Sequence, residues 1–274
     1  MRRKGTAIFS SNKIFFRKNA LFSSFLCNFA LMIEKTEGIV LHSFKYGESK
    51  IIVDMFTRKK GRLSFIVTVP KTAKGRLKKQ YFQPMTLLEI ECEVRQCIQL
   101  QKLKDARILV PYVSIPSSPD KLAITLFIAE FLYHSLRSEQ HDEPLFEYIA
   151  DSVQWLDAVT EGYANFHLTF LMRMSRFLGF YPNLVEGGEE RDSMFFDLRE
   201  GRFCSVAPTH RDFLQPDEAR LIHLMMRMDY PTMHLFRLSR TDRHRITDVL
   251  LQYYKQHLPD FPELKSLAVL QQLW

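Results

Sequence analysis

The sequence predicts an α+β protein, with a small all-β barrel on the N-terminal side followed by a mainly α-helical C-terminal domain that carries a β-hairpin. Three observations predict it. Five short runs between residues 34 and 110 alternate with period two, the mark of half-buried strands. From Lys121 onward the apolar residues recur at helical spacing instead. Between them lies the stretch 111–119, with prolines at 111, 116 and 119, a natural linker. The chain therefore divides into a leader at 1–31, a barrel at 32–111 and a helical domain at 112–274.

The leader is basic, acid-free and rich in Phe and Ser. It supplies six of the net charge of +7, which leaves +1 for the rest, so global charge says little about partners. A basic start before an apolar run resembles a signal peptide, but no small-x-small cleavage site follows. The expectation is a start at Met32, with the upstream residues non-native or disordered. No run is long enough to span a membrane. The four cysteines, Cys27, Cys92, Cys97 and Cys204, form no C-x-x-C and no disulfide framework, which suits a reducing cytosol.

The strands are expected at 37–46, 49–57, 61–69, 85–94 and 100–110. Five strands in about 80 residues, with a long loop between the third and fourth, predict a closed OB-type barrel. An SH3-like barrel is the second reading. Around the third strand lies an unusual charge pattern. Between Asp54 and Glu89 there is no acid and there are nine basic residues: Arg58, Lys59, Lys60, Arg62, Lys71, Lys74, Arg76, Lys78 and Lys79. With Tyr81 and Phe82 beside it, a positive surface on a sheet suits a polyanion whose bases can stack. The plain alternative is a solvated turn and loop. Phe82 is equally a barrel-core residue.

On the fourth strand Glu89, Glu91 and Glu93 share one face, which raises a metal-dependent nuclease as an alternative function. Carboxylates without a His or Asp to complete the set are poor ligands. A solvated face opposite lysines explains them better.

Helices are expected at 121–136, apolar almost all round and hence central, then at 145–159, 163–178, 218–228 and 243–258. Residues 194–206 read as a hairpin turning at Gly201. Walker, dinucleotide, G-x-S-x-G and H-E-x-x-H motifs are all missing from the sequence. Cys204 and His210 make half of a metal site at most. The expectation is a protein that is not an enzyme and carries no cofactor or metal.

Several motifs, in order, resemble the RecO family of bacterial recombination mediators. They are Glu37-Gly38-Ile39-Val40-Leu41, Tyr46-Gly47-Glu48-Ser49, Phe56-Thr57, Gly61-Arg62-Leu63, Gln83-Pro84 and Leu100-Gln101-Lys102-Leu103-Lys104-Asp105-Ala106. Leu178-Gly179-Phe180-Tyr181-Pro182-Asn183-Leu184 and Leu264-Lys265-Ser266 follow. The resemblance implies an N-terminal OB-fold on a helical domain, in a cytoplasmic, nucleoid-associated bacterial protein of recombinational repair. It also implies binding of single- and double-stranded DNA, strand annealing, and work with RecR and single-strand-binding protein to load the recombinase. The nine basic residues and Tyr81 are then the DNA contacts. Arg173, Arg176 and Phe177 would meet the acidic, apolar-ended peptide of the single-strand-binding partner. A protein-interaction adaptor built on an OB-like barrel is the alternative. Many members carry a four-cysteine zinc element after the Leu-Gly-x-x-Pro motif. Residues 185–210 here hold Cys204 alone, so packing of Phe195, Phe196 and Phe203 is expected to replace it.

Overall fold

A computed structural model describes residues 32–69, 77–95, 98–137, 141–183 and 193–273. The leader at 1–31 lies outside the described residues. Five strands, β1 (Met32–Tyr46), β2 (Lys50–Thr57), β3 (Gly61–Thr68), β4 (Leu87–Val94) and β5 (Leu100–Ile108), close into a barrel of order β1-β2-β3-β5-β4. This is the OB-type arrangement expected from the strand count. The long strand β1 makes closure work. Its first half pairs with β4 from Met32↔Val94, and its second half pairs with β2 up to Tyr46↔Lys50. A bulge between Val40 and His42 bends it from one partner to the other. β1 begins five residues before the expected 37. Alternation alone did not find those residues because an acid points inward there: Glu34 is largely buried and meets Lys60 Nζ at 3.4 Å.

Two apolar cores result. One fills the barrel, with Val53, Met55, Phe65 and Val67 from β2 and β3 and Phe82 from the short 3-10 turn Lys79–Phe82. The other runs through the helices and takes in Ile39, Leu41, Phe56 and Leu87 from the barrel's outer surface. Phe56 stacks on Phe146, with ring centroids 6.3 Å apart. Barrel and helices thus share a core.

The helices are α1 (Pro119–Ser135), α2 (Glu143–Ala158), α3 (Phe166–Phe177), α4 (Pro216–Met226), α5 (Arg240–His257) and α6 (Ser266–Leu273). α1 is the central helix expected, and Ser118 caps its N-terminus. α5 starts three residues before the expected 243, because Ser239 and Asp242 form a capping box. Among the described residues no helix is long and apolar enough to cross a membrane. The proline-rich connection is pinned in place. The Asp157 carboxylate accepts the backbone N–H groups of Val113, Ser114 and Ile115 at 2.9, 2.8 and 2.8 Å. Burial pushes its pKa up, but these bonds outweigh burial and hold it below the ordinary range. Buried Lys121 donates to Ser114 Oγ at 2.7 Å and to the Val159 carbonyl at 2.5 Å.

The expected hairpin, β6 (Phe195–Asp197) and β7 (Arg202–Cys204), gains a third strand, β8 (Phe213–Leu214). At two residues β8 is too short for a periodic signal. Phe196 and Phe203 meet edge to face at 4.9 Å. Polar bonds also knit the sheet. Asp197 accepts the N–H groups of Arg199 and Glu200 and bonds His210 Nε2 at 3.2 Å. Gly201 turns at φ 62°, and a Cβ there would stand 2.5 Å from the Tyr253 hydroxyl, so the position requires glycine.

Candidate nucleic-acid interface

β3 has eight residues and so runs about 23 Å. The described basic residues that read as one cluster stand at its two ends. At the lower end the chain turns from β2 into β3 against the helices. Arg58 bonds Glu37 at 3.0 Å, Glu143 at 2.9 Å and Glu147 at 2.9 Å, and lies over the Phe146 ring at 4.8 Å. Burial acts to lower the pKa of this guanidinium, and the three carboxylates together raise it. Arg62 donates to the Tyr133 carbonyl at 2.5 Å and covers the Tyr133 ring at 4.5 Å, with Asp54 at 4.0 Å. Lys59 Nζ donates to the Lys35 carbonyl at 2.8 Å, and Lys60 meets Glu34. These four cations have intramolecular partners, and Arg58 and Arg62 join the barrel to α2 and α1.

The upper end differs. Lys71, Lys74 and Arg76 fall within 70–76, outside the described residues. Lys78 and Lys79 are exposed. Tyr81 is half-buried against the barrel core, and Phe82 is buried within it. Its carbonyl accepts Ser43 Oγ at 2.8 Å. Beside Lys79 opens a cleft of about 460 Å³, lined by Phe44, Lys45, Glu48, Lys50, Ile51 and Gln83 among others. Phe44 and Tyr46 are exposed at the end of β1. Sequence reasoning missed Phe44, Lys45, Tyr46 and Lys50 because it followed an acid-free window that opens at Asp54, downstream of all four. The available signal was two aromatic residues at i and i+2 on either side of a lysine, at a hairpin tip.

Two of the three glutamates of β4 pair with cations of β5. Glu89 pairs with Arg107, and Glu93 meets Lys104 at 2.9 Å. The Lys104 bond holds the Glu93 carboxyl below its ordinary range. Among the described residues no three His, Cys, Asp or Glu side chains stand close enough to hold a metal ion.

On the helical domain, Arg173 pairs with Asp229 and lies 5.9 Å from the Tyr230 ring. Arg176 is exposed and stacks over Tyr181 at 4.1 Å. Phe177 is half-buried and stacks on Tyr148 at 5.0 Å. The three residues share the last two turns of α3, with Arg173 already holding an acid.

Residues 32–112 match the family model described as Recombination protein O N terminal, and residues 116–268 match Recombination protein O C terminal. The chain is similar to the DNA repair protein RecO of Phocaeicola vulgatus, 47% identical over 89% of this chain and 100% of that one. It is 48% identical to the protein of that name from Bacteroides fragilis, over 89% of this chain and all of that one. For the Porphyromonas gingivalis protein the identity is 36%, again over 89% of this chain and all of that one.

Proposed function

The chain belongs to the RecO family of DNA repair and recombination proteins, and from that premise we propose that it binds DNA at the upper end of its barrel and anneals complementary strands. A RecR-type protein and single-strand-binding protein are its partners in loading the recombinase. The observation that carries this reading is the cleft where Lys45, Lys50 and Lys79 converge from three chain segments beside exposed Lys78. Lys71, Lys74 and Arg76 belong to the proposal by sequence. Annealing requires two phosphate backbones to be neutralised while bases stay free to pair, and lysines on a barrel rim supply that without making or breaking a bond.

The test is annealing of labelled complementary oligonucleotides by a Lys74→Ala, Arg76→Ala, Lys78→Ala, Lys79→Ala variant. Annealing should be suppressed while circular dichroism and melting stay those of the wild type, because exposed charges contribute little to stability. A folded variant that anneals at the wild-type rate removes this track from the proposal. Labelled DNA with Mg²⁺ in the same assay separates the nuclease alternative, which requires cleavage.

Partner binding through α3 rests on exposed Arg176 beside Phe177, a pairing that suits an acidic peptide ending in an apolar residue. Arg173→Glu with Arg176→Glu should weaken binding of such a peptide and spare naked DNA. Unchanged peptide affinity rejects the site.

A further inference from the structure

We infer that the cleft between the barrel and α2 is a docking site for a basic segment of another protein, one with an apolar side chain flanked by lysine or arginine. The inference goes beyond the DNA reading above and uses the opposite end of the barrel.

The cleft opens where the ends of β4 and β5 meet the side of α2. It encloses about 460 Å³, and Leu87, Leu109, Val110 and Ala150 supply its apolar lining. Leu109 is 40% exposed, and Val113, four residues on, is 79% exposed. Both backbones are pinned. The Leu109 N–H donates to the Leu87 carbonyl at 2.9 Å, and the Val113 N–H donates to the Asp157 carboxylate at 2.9 Å. Apolar side chains held on a cleft and its margin by a fixed backbone mark a contact surface.

Charge names the occupant. Glu143, Glu147 and Asp151 recur at i, i+4 and i+8, so they stand on one face of α2, and Glu37 joins them from β1. Arg58 is the one cation lining the cleft, and Glu37, Glu143 and Glu147 already share it. Asp151 is exposed and pairs with no cation among the described residues. Arg58 shows on a small scale what the site takes. Its guanidinium draws three carboxylates while it lies over the Phe146 ring at 4.8 Å. A second cation entering beside Asp151 meets the same surplus of acid, and its apolar neighbour covers Leu109 and Val110.

Other ligands fit worse. Four carboxylates repel phosphates, so nucleic acid is turned away. A metal ion lacks a ligand set, because no three His, Cys, Asp or Glu side chains stand close enough among the described residues. A purely apolar surface would bury the acids without partners. A basic segment satisfies both the acids and the floor. The length of β3 separates this cleft from Lys45, Lys50 and Lys79, so DNA and partner can be held at once.

The test uses the full chain and three labelled peptides of about 14 residues, which as helices match most of the length of α2. One is built of lysine and leucine, one of lysine alone, and one of glutamate and leucine. The lysine–leucine peptide should bind tightest, and the glutamate–leucine peptide should not bind. Asp151→Lys should weaken both basic peptides on the order of tenfold. Leu109→Ser should bring the lysine–leucine peptide down to the affinity of the lysine one. Glu263→Lys makes the same change in net charge at an exposed acid between α5 and α6, and should alter neither. Asp151→Asn keeps the shape of the side chain, guards against a folding defect, and should still weaken both basic peptides about threefold. Equal losses from Asp151→Lys and Glu263→Lys, or no loss from either, overturn the site. Light scattering at the assay concentration should show single chains. Self-association abolished by Asp151→Lys would give the face to a second copy and overturn the proposed partner. No DNA enters the experiment, so its outcome is independent of the DNA reading.

Discussion

The two ends of β3 carry the same kinds of residue in different surroundings. At the lower end Arg58, Lys59, Lys60 and Arg62 each meet a carboxylate or a carbonyl of the same chain. At the upper end Lys45, Lys50 and Lys79 line an open cleft and Lys78 is exposed. Density of charge along a sequence is therefore a poor guide to what a cation does. What decides is whether the fold brings acids and apolar surface to it. α2 does this at the lower end with Glu143 and Glu147, more than 80 residues downstream of Arg58.

If the lower end is a structural seam, the largest loss should come from its apolar packing. Phe146→Ala removes the ring that stacks on Phe56 and lies beneath Arg58. It should cost about 3–5 kcal/mol in denaturant unfolding. DNA affinity measured where the variant is still folded should not change. A loss well under 1 kcal/mol would mean that barrel and helices are held together elsewhere.

Acid should sharpen the contrast with a somewhat smaller effect. His167 is buried at the heart of the helical body, edge-on to Phe127, and its Nδ1 has no hydrogen-bond partner among the described residues. Burial, with Arg243 and His244 adding to it, pushes its pKa down to about 3. A histidine depressed in the folded state takes up its proton on unfolding. Stability is therefore full above the unfolded value near 6.5 and falls as pH drops below it. Between pH 7 and pH 5 this amounts to about 2 kcal/mol. Melting followed against pH should show that acid limb, and His167→Leu should flatten it. An acid limb unchanged by His167→Leu would assign the loss to other groups.

Much of the fold was legible from periodicity. β3 sets Leu63, Phe65 and Val67 on one face with Ile66 the one apolar residue on the other, and β4 separates Leu88, Ile90 and Cys92 inside from Glu89 and Glu93 outside. The first five residues of β1 were hidden by inward Glu34, whose partner Lys60 lies 26 positions on. β8 has two residues and α6 eight, too little for a period to register. Of the candidate site, the sequence showed a dense run of cations on either side of β3. It could not reveal that the surface divides between two ends, because the partners of Arg58 and Arg62 come from helices distant in the chain. It also could not reveal that Lys45 and Lys50, on the far side of Asp54, close the cleft with Lys79.

The measurement that bears most directly on this contrast is the salt dependence of single-strand affinity in two variants compared with the wild type. One replaces Lys45, Lys50, Lys78 and Lys79 with alanine, and the other replaces Arg58 with glutamine. The upper-end variant should lower the slope of log affinity against log salt by up to about 3, at roughly 0.7 for each phosphate no longer neutralised. Its melting temperature should match that of the wild type. Arg58→Gln should leave the slope alone and lower stability by about 1–2 kcal/mol, the scale of charged hydrogen bonds discounted for partial exposure. The reverse outcome, a slope reduced by Arg58→Gln and kept when the four lysines are gone, would put the DNA at the lower end and contradict the division of labour along β3.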